Sequence, residues 1–347
     1  MSEVRSQRYE QWLKRRKRGI GGSEVATVMG MNKYQTLLEL YLDKISINID
    51  DIDNERMEAG RRLEPFLRKI FEADKGVELF IPPKWKSYHG EYSHELATPD
   101  GFILDEQQRI VGIVEFKTSS YVDEDDLPNS WFIQLAWYVT IMSTYKQIGK
   151  YKVHSDGLTH NYVGFLKLPR TFDHALFNAL KLSPSQMTAL ISTSPFITRK
   201  LQGFTDEHAQ MLRERVAEFW NKHVAKRIPP KPSTLADLEL LYPAPAIAEE
   251  LKKKEATSDI ISKYNRLRTV NDAIKKLQTE QTELKKDICL YMEDAAVLEF
   301  AGKAIITYKY SNPAMKFDAK KFKADNPDMY NMYTQESAPQ RRFLLKK

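Results

Sequence analysis

The sequence predicts an α/β fold followed by a helical extension and a small β-hairpin, and three observations predict it. Apolar runs at 110–114 and 162–168 have the length and β-branched content of buried strands. Helical patterns at 60–71 and 130–138 alternate with them. From 247 to 292 there is neither proline nor glycine, and charges dominate around a sparse apolar repeat.

Taken in order, the first element is a helix opening after Gly21-Gly22-Ser23-Glu24 and running through Val25 to Met29. Thr36 is placed to cap a second helix over 37–42, and a polar linker covers 48–54. Gly60-Arg61-Arg62-Leu63-Glu64 then opens an amphipathic helix with Leu63, Phe66, Leu67, Ile70 and Phe71 on one face. Pro99-Asp100-Gly101 starts a strand, Asp105-Glu106-Gln107-Gln108 turns it, and 110–114 returns as its antiparallel neighbour. The segment 169–204 matches no further core element and reads as an insertion or an elaborated connection. A helix through Phe219-Trp220 stops at Ile228-Pro229-Pro230-Lys231-Pro232.

The chemistry concentrates on the hairpin. Side chains alternate along a strand, so Glu115 and Lys117 of Val114-Glu115-Phe116-Lys117 leave from one face. Folding the hairpin carries Asp100 towards Glu115. Carboxylates are hard oxygen ligands suited to magnesium or manganese, and a divalent cation activates water and neutralises phosphate charge. A neighbouring lysine orients the nucleophile and adds positive charge. Taken alone, the triplet serves equally well as a strand ion pair. Glu64, beside the apolar face of its helix, offers a third carboxylate or an ordinary exposed charge. Gln134 and Tyr138 lie four apart on an apolar helix and share a face, where a buried amide needs a partner. The Gly-Gly-Ser helix start follows five consecutive basic residues, Lys14 to Arg18, which suits either an anion site or a solvated charge run.

Trp12, Arg16, Gly-Gly-Ser23-Glu24, Gly60…Glu64, Pro-Asp100-Gly, Glu115-Phe-Lys117, Gln134…Tyr138 and Phe219-Trp220 occur in an order that resembles the YqaJ-type viral recombinase (lambda exonuclease) family. That family lies within the PD-(D/E)xK nuclease superfamily, and the likeness spans about 12–232. It implies a restriction-endonuclease-like PD-(D/E)xK core, a mixed central sheet flanked by helices. It implies Asp100, Glu115 and Glu64 as ligands of Mg2+, with Mn2+ as a substitute, Lys117 positioning the attacking water and Gln134 steadying the site with support from Tyr138. Arg16 and Ser23 fall where such enzymes bind a DNA 5′-phosphate. The implied activity is 5′→3′ digestion of one strand at double-stranded DNA ends, leaving 3′ single-stranded tails for phage-type homologous recombination. A single-strand annealing protein and a ring trimer are the partners the resemblance implies.

Composition narrows the class. The 347 residues carry a net charge of +6, and residues 1–23 hold seven basic against two acidic side chains. The single Cys289 excludes an intrachain disulfide framework and a cysteine-rich zinc site, and weakens a Cas4-like nuclease, whose iron–sulfur cluster needs four cysteines. The seven histidines show no ligand spacing. No run is long enough to span a bilayer and no signal-peptide stretch opens the sequence, so no membrane association is expected; the expected site is the cytoplasm of a bacterial host, with phage or prophage origin.

The character changes after Pro245, which divides the chain into a nuclease domain (1–245) and a C-terminal extension (246–347). Ile260, Tyr264, Leu267, Ile274, Leu277, Leu284 and Ile288 form a broken apolar seam on a long helix, favouring docking or pairing with 247–254 over an independent coiled coil. A hairpin turning at Gly302 follows. The tail mixes basic and aromatic residues, a composition that suits contact with DNA or a partner. Two classes of function fit the whole: an active exonuclease, with an endonuclease of the same superfamily as its nearest alternative, or a DNA-binding assembly module that keeps the nuclease fold.

Overall fold

The computed structural model describes residues 7–46, 54–180, 182–243, 253–311, 315–335 and 342–346. The chain clusters into two units, 1–242 and 243–347. The linker at 48–53, Pro245 and most of 247–254 lie outside the described residues.

Five helices of the first unit position the site: α1 (Gln7–Lys17), α2 (Gly22–Val28), α3 (Leu37–Ile45), α4 (Glu55–Lys75) and α5 (Asn129–Met142). They flank a mixed sheet whose spatial order follows the chain: β1 (Glu78–Phe80), β2 (Gly101–Leu104), β3 (Ile110–Ser119), β4 (Tyr162–Lys167) and β5 (Phe196–Lys200). Only β3 and β4 pair in parallel. A parallel pair requires a crossover, and α5 lies on the connection that supplies it.

The pleat divides the core. Phe102, Leu104 and Ile113 face Val25, Leu135 and Trp137 from α2 and α5. Ile103, Val114 and Phe116 face Leu63, Leu67 and Phe71 from α4. Every residue of α5 from Gln134 to Met142 is buried, which is why its sequence is apolar all round. The Trp137 indole N–H donates to the carbonyls of Leu96 and Ile20, fixing α5 against two chain segments at once.

Local signals account for the element ends, with two differences from expectation. Thr36 caps α3, its hydroxyl accepting from the Glu39 N–H at 3.1 Å. Helix α4 begins at Glu55 rather than Gly60, because Asn54 accepts from the Arg56 and Met57 N–H groups and starts the helix five residues earlier. The segment 169–204 is more than an insertion: after two short helices it contributes β5, the edge strand of the main sheet. Phe196-Ile197-Thr198-Arg199-Lys200 is half polar and paired on one side only, so its pattern lacks the signature of a buried strand.

In the second unit a helix, Ser258–Met292, is followed by a hairpin pairing Val297–Phe300 with Lys303–Thr307. Its turn residues, Ala301 and Gly302, both take positive φ (51° and 74°), the requirement of a two-residue type I′ turn. Ile274, Leu277 and Leu284 on the seam of the helix are exposed. Asp318 caps a short helix, Ala319–Asp325, by accepting from the Lys321 N–H. Among the described residues no helix is long and apolar enough to cross a membrane.

Candidate active site

The β2–β3 pairing brings the two hairpin acids together. Gly101 stands opposite Val114, so the next pair outward is Asp100 and Glu115. Asp100 shares the strand face of Phe102, and Glu115 that of Ile113, which places both carboxyls on the α5 side. Asp100 Oδ2 accepts from the Phe116 N–H at 2.8 Å, and the Glu115 charge acts on the Asp100 carboxyl.

Lys117 and Gln134 close around this pair. Lys117 Nζ donates to Glu115 Oε1 and to Gln134 Oε1, both at 2.8 Å. Gln134 Nε2 donates to Glu115 Oε1 at 2.5 Å and to the Tyr138 hydroxyl at 3.0 Å, and that hydroxyl meets Thr98 Oγ1 at 3.2 Å. The amide therefore serves lysine, carboxylate and phenol together, and its orientation is set by which neighbour needs a donor. The partner that a buried glutamine on an apolar helix demands is the Glu115–Lys117 pair itself.

Glu115 Oε2 is left over. It is buried and has no hydrogen-bond partner among the described residues. A buried, unpartnered carboxylate oxygen is costly. The electrostatics register that cost: burial and the charge of Glu115 push the Asp100 carboxyl up to about 8. Burial raises Glu115 as well, against the pull of Lys117. Glu64 is raised to about 7 by burial and by Asp100, although Arg68 pairs with it. Three carboxyls thus crowd one spot, and Lys117 and Arg68 offset only part of their mutual repulsion.

This donor set fits a hard divalent cation held by one or two carboxylates and otherwise by water and phosphate. Among the described residues no three acidic, histidine or cysteine side chains already form a cage, Glu64 being turned onto Arg68.

The other two candidates meet at the start of α2. Arg16 Nη2 reaches Glu24 Oε1 at 3.2 Å, so Arg16 stands beside the turn that carries Ser23, which is exposed. Glu24 enters the sequence pattern only as part of the motif; its side chain accepts the Gly21 N–H at 2.8 Å and so occupies an amide that the anion-site reading leaves open. Lys44 Nζ also binds Glu24, at 2.8 Å. Burial works to raise the Glu24 carboxyl, but Lys44 and Arg16 outweigh it and hold the group below its usual range. Gly22 lets this end of α2 lie directly on α5: a Cβ there would stand 2.4 Å from Tyr138 Cε1 and 2.8 Å from Gln134 Cγ. The Arg16–Ser23 turn and the acidic pair are therefore joined through Gln134 and Tyr138.

Sequence reasoning missed Lys44, Arg68 and Thr98, whose roles depend on contacts across the chain. It also missed a cleft of about 450 Å3 beside the acids, lined by Glu64, Asp100, Arg68, Trp12, Lys84 and Trp85 among others. The run Lys84-Trp85-Lys86 after two prolines was a visible signal for it.

Residues 11–146 match the family described as the YqaJ-like viral recombinase domain, a span that includes every site residue named above. The chain is 26% identical over 346 residues to the uncharacterized protein YqaJ of Bacillus subtilis (strain 168), covering 97% of this chain and 94% of that protein. Among solved structures it is similar to LHK-Exo, an alkaline exonuclease from Laribacter hongkongensis, at 16% identity and TM-score 0.40, covering 62% of this chain and 93% of that one. A phage-related exonuclease from Haemophilus somnus 129PT gives 13% identity and TM-score 0.39, covering 60% and 96%. Over residues 11–146 the chain is thus similar to the YqaJ-like viral recombinase domain.

Proposed function

We propose that the chain is a metal-dependent deoxyribonuclease that digests linear double-stranded DNA from its ends. The observation that carries this reading is the Asp100–Glu115 pair, held face to face in a buried spot with one carboxylate oxygen unpartnered and Lys117 Nζ alongside. Asp100 and Glu115, with Glu64 behind them, would hold a magnesium ion, for which manganese can substitute. When bound, that ion lowers the pKa of water and neutralises charge on the scissile phosphate.

The chain's own side chains do the rest. Lys117, tethered by Glu115 and Gln134, presents its ammonium to the attacking water and the developing phosphate charge. Gln134 fixes the Lys117 and Glu115 side chains relative to each other, and Tyr138 fixes Gln134. Arg16 and the Ser23 hydroxyl receive the terminal 5′-phosphate, which sets the polarity as 5′→3′ and leaves a 3′ tail. Such a tail is substrate for a single-strand annealing partner in recombination, and processive digestion suits a ring trimer around the duplex.

Duplex DNA labelled at either end tests polarity and chemistry together. Purified protein with Mg2+ should release label from 5′ ends first, spare a covalently closed circle and stop in EDTA. Nicking of the closed circle would move the reading to an endonuclease. Tight end binding with no cleavage under any divalent ion would move it to a binding module.

A further inference from the structure

The cleft beside the acids is lined by two indoles, Trp12 and Trp85, that the chemistry above does not use, and Tyr9 packs against both. Tyr9 and Trp12 stack at 5.7 Å, and Trp85 closes on both, 4.6 Å from Tyr9 and 5.0 Å from Trp12. All three rings are half-buried, so part of their surface faces solvent. Cations sit on the indoles: Lys84 Nζ lies 4.9 Å from the Trp85 ring and the Arg16 guanidinium 5.1 Å from the Trp12 ring. Trp85 itself takes φ +67°, a conformation bulky residues rarely adopt. The turn is pinned where it is strained, by the Lys86 N–H to the Pro83 carbonyl at 3.0 Å and by Arg15 to the Trp85 carbonyl at 3.4 Å. The same cleft reaches Asp100 and Glu64.

Indole faces interleaved with cations, in a cleft that reaches a group of carboxyls, match the requirements of an unpaired nucleotide: a π-surface for the base and positive charge for its phosphates. Lys84 is exposed, so solvent screens its hold on the half-buried Trp85 ring and a base can displace it. Resting on the nuclease reading, we propose that Trp85, backed by Trp12 and Tyr9, is a nucleobase-stacking subsite for single-stranded DNA leading to the Asp100–Glu115 pair. A base on Trp85 displaces Lys84, which then meets the adjoining phosphate. The sequence tolerance of such a contact follows from its use of the π-face, which every base has.

The test uses full-length protein in EDTA, where no cleavage occurs, and fluorescence anisotropy of a short oligothymidylate. Its control is an oligomer of the same length in which the bases are removed and the phosphates kept. Wild type should bind the intact oligomer about 10- to 100-fold more tightly than the baseless one. Trp85→Ala should bind both equally, at the baseless level, and Trp85→Phe should recover most of the difference. Equal binding of the two oligomers by wild type would overturn the proposal, as would full discrimination by Trp85→Ala. The wild-type comparison decides the matter even if Trp85→Ala fails to fold. Loss of base discrimination with normal digestion of linear duplex would sink the stacking subsite alone. Absence of digestion with base discrimination intact would sink the nuclease reading alone.

Discussion

Replacing Asp100 by asparagine should destroy activity and yet stabilise the metal-free protein. The Asp100 carboxyl moves from its usual 3.8 to about 8 on folding, through burial and the neighbouring Glu115 charge. A carboxyl whose folded-state pKa is raised holds its proton in the folded protein after the unfolded chain has lost it. Its contribution is therefore fully present below about pH 4 and drains away as pH rises to 8. A shift of about four units corresponds to about 5 kcal/mol at pH 8. The asparagine amide would keep an oxygen for the Phe116 N–H and relieve Glu115 and Glu64, whose own carboxyls are raised. Sharing one proton with Glu115 reduces the recoverable part, so Asp100→Asn should gain about 2–3 kcal/mol at pH 8 and little at pH 4. Urea unfolding in EDTA across pH 4 to 8.5 reads this directly. A wild type that grows more stable over that range, or an Asp100→Asn protein that loses stability at pH 8, would refute the crowding argument.

Three further predictions come from the same contacts. Lys117→Ala should lower cleavage at least about 100-fold while duplex-end binding in EDTA, read by gel shift, stays within about threefold; parallel loss of both would make Lys117 a binding residue. Gly22→Ala must push a methyl group into Tyr138 and Gln134, and should cost about 3 kcal/mol or more in thermal unfolding, with cleavage lost alongside. Arg16→Ala leaves Glu24 paired with Lys44, so the fold should survive while the preference for 5′-phosphorylated over 5′-hydroxyl ends falls about tenfold. Equal loss on both kinds of end would remove Arg16 from the phosphate pocket.

How much of this was legible depends on the range of the interactions. The Asp100–Glu115 juxtaposition could be read because it needs only strand alternation and a short turn. Gln134 and Tyr138 were legible as a pair by helical spacing, and as demanding a partner because amide and phenol were set in an apolar helix. Which partner they had was not, since Lys117 and Gln134 meet only after α5 packs on β3. Lys44 was invisible for the same reason: it sits inside a helical pattern and finds Glu24 across 20 residues. Strand β5 escaped because an edge strand needs apolar side chains on one face alone. The aromatic wall is assembled from residues 9, 12 and 85, with no periodicity linking them.

A manganese soak of crystals, mapped by anomalous diffraction, is the most direct measurement of the central claim. A peak between the Asp100 and Glu115 carboxylates, with Glu115 Oε2 among the coordinating oxygens, is the result expected. A map with no peak there, in crystals whose protein degrades linear DNA in the same manganese solution, would contradict it.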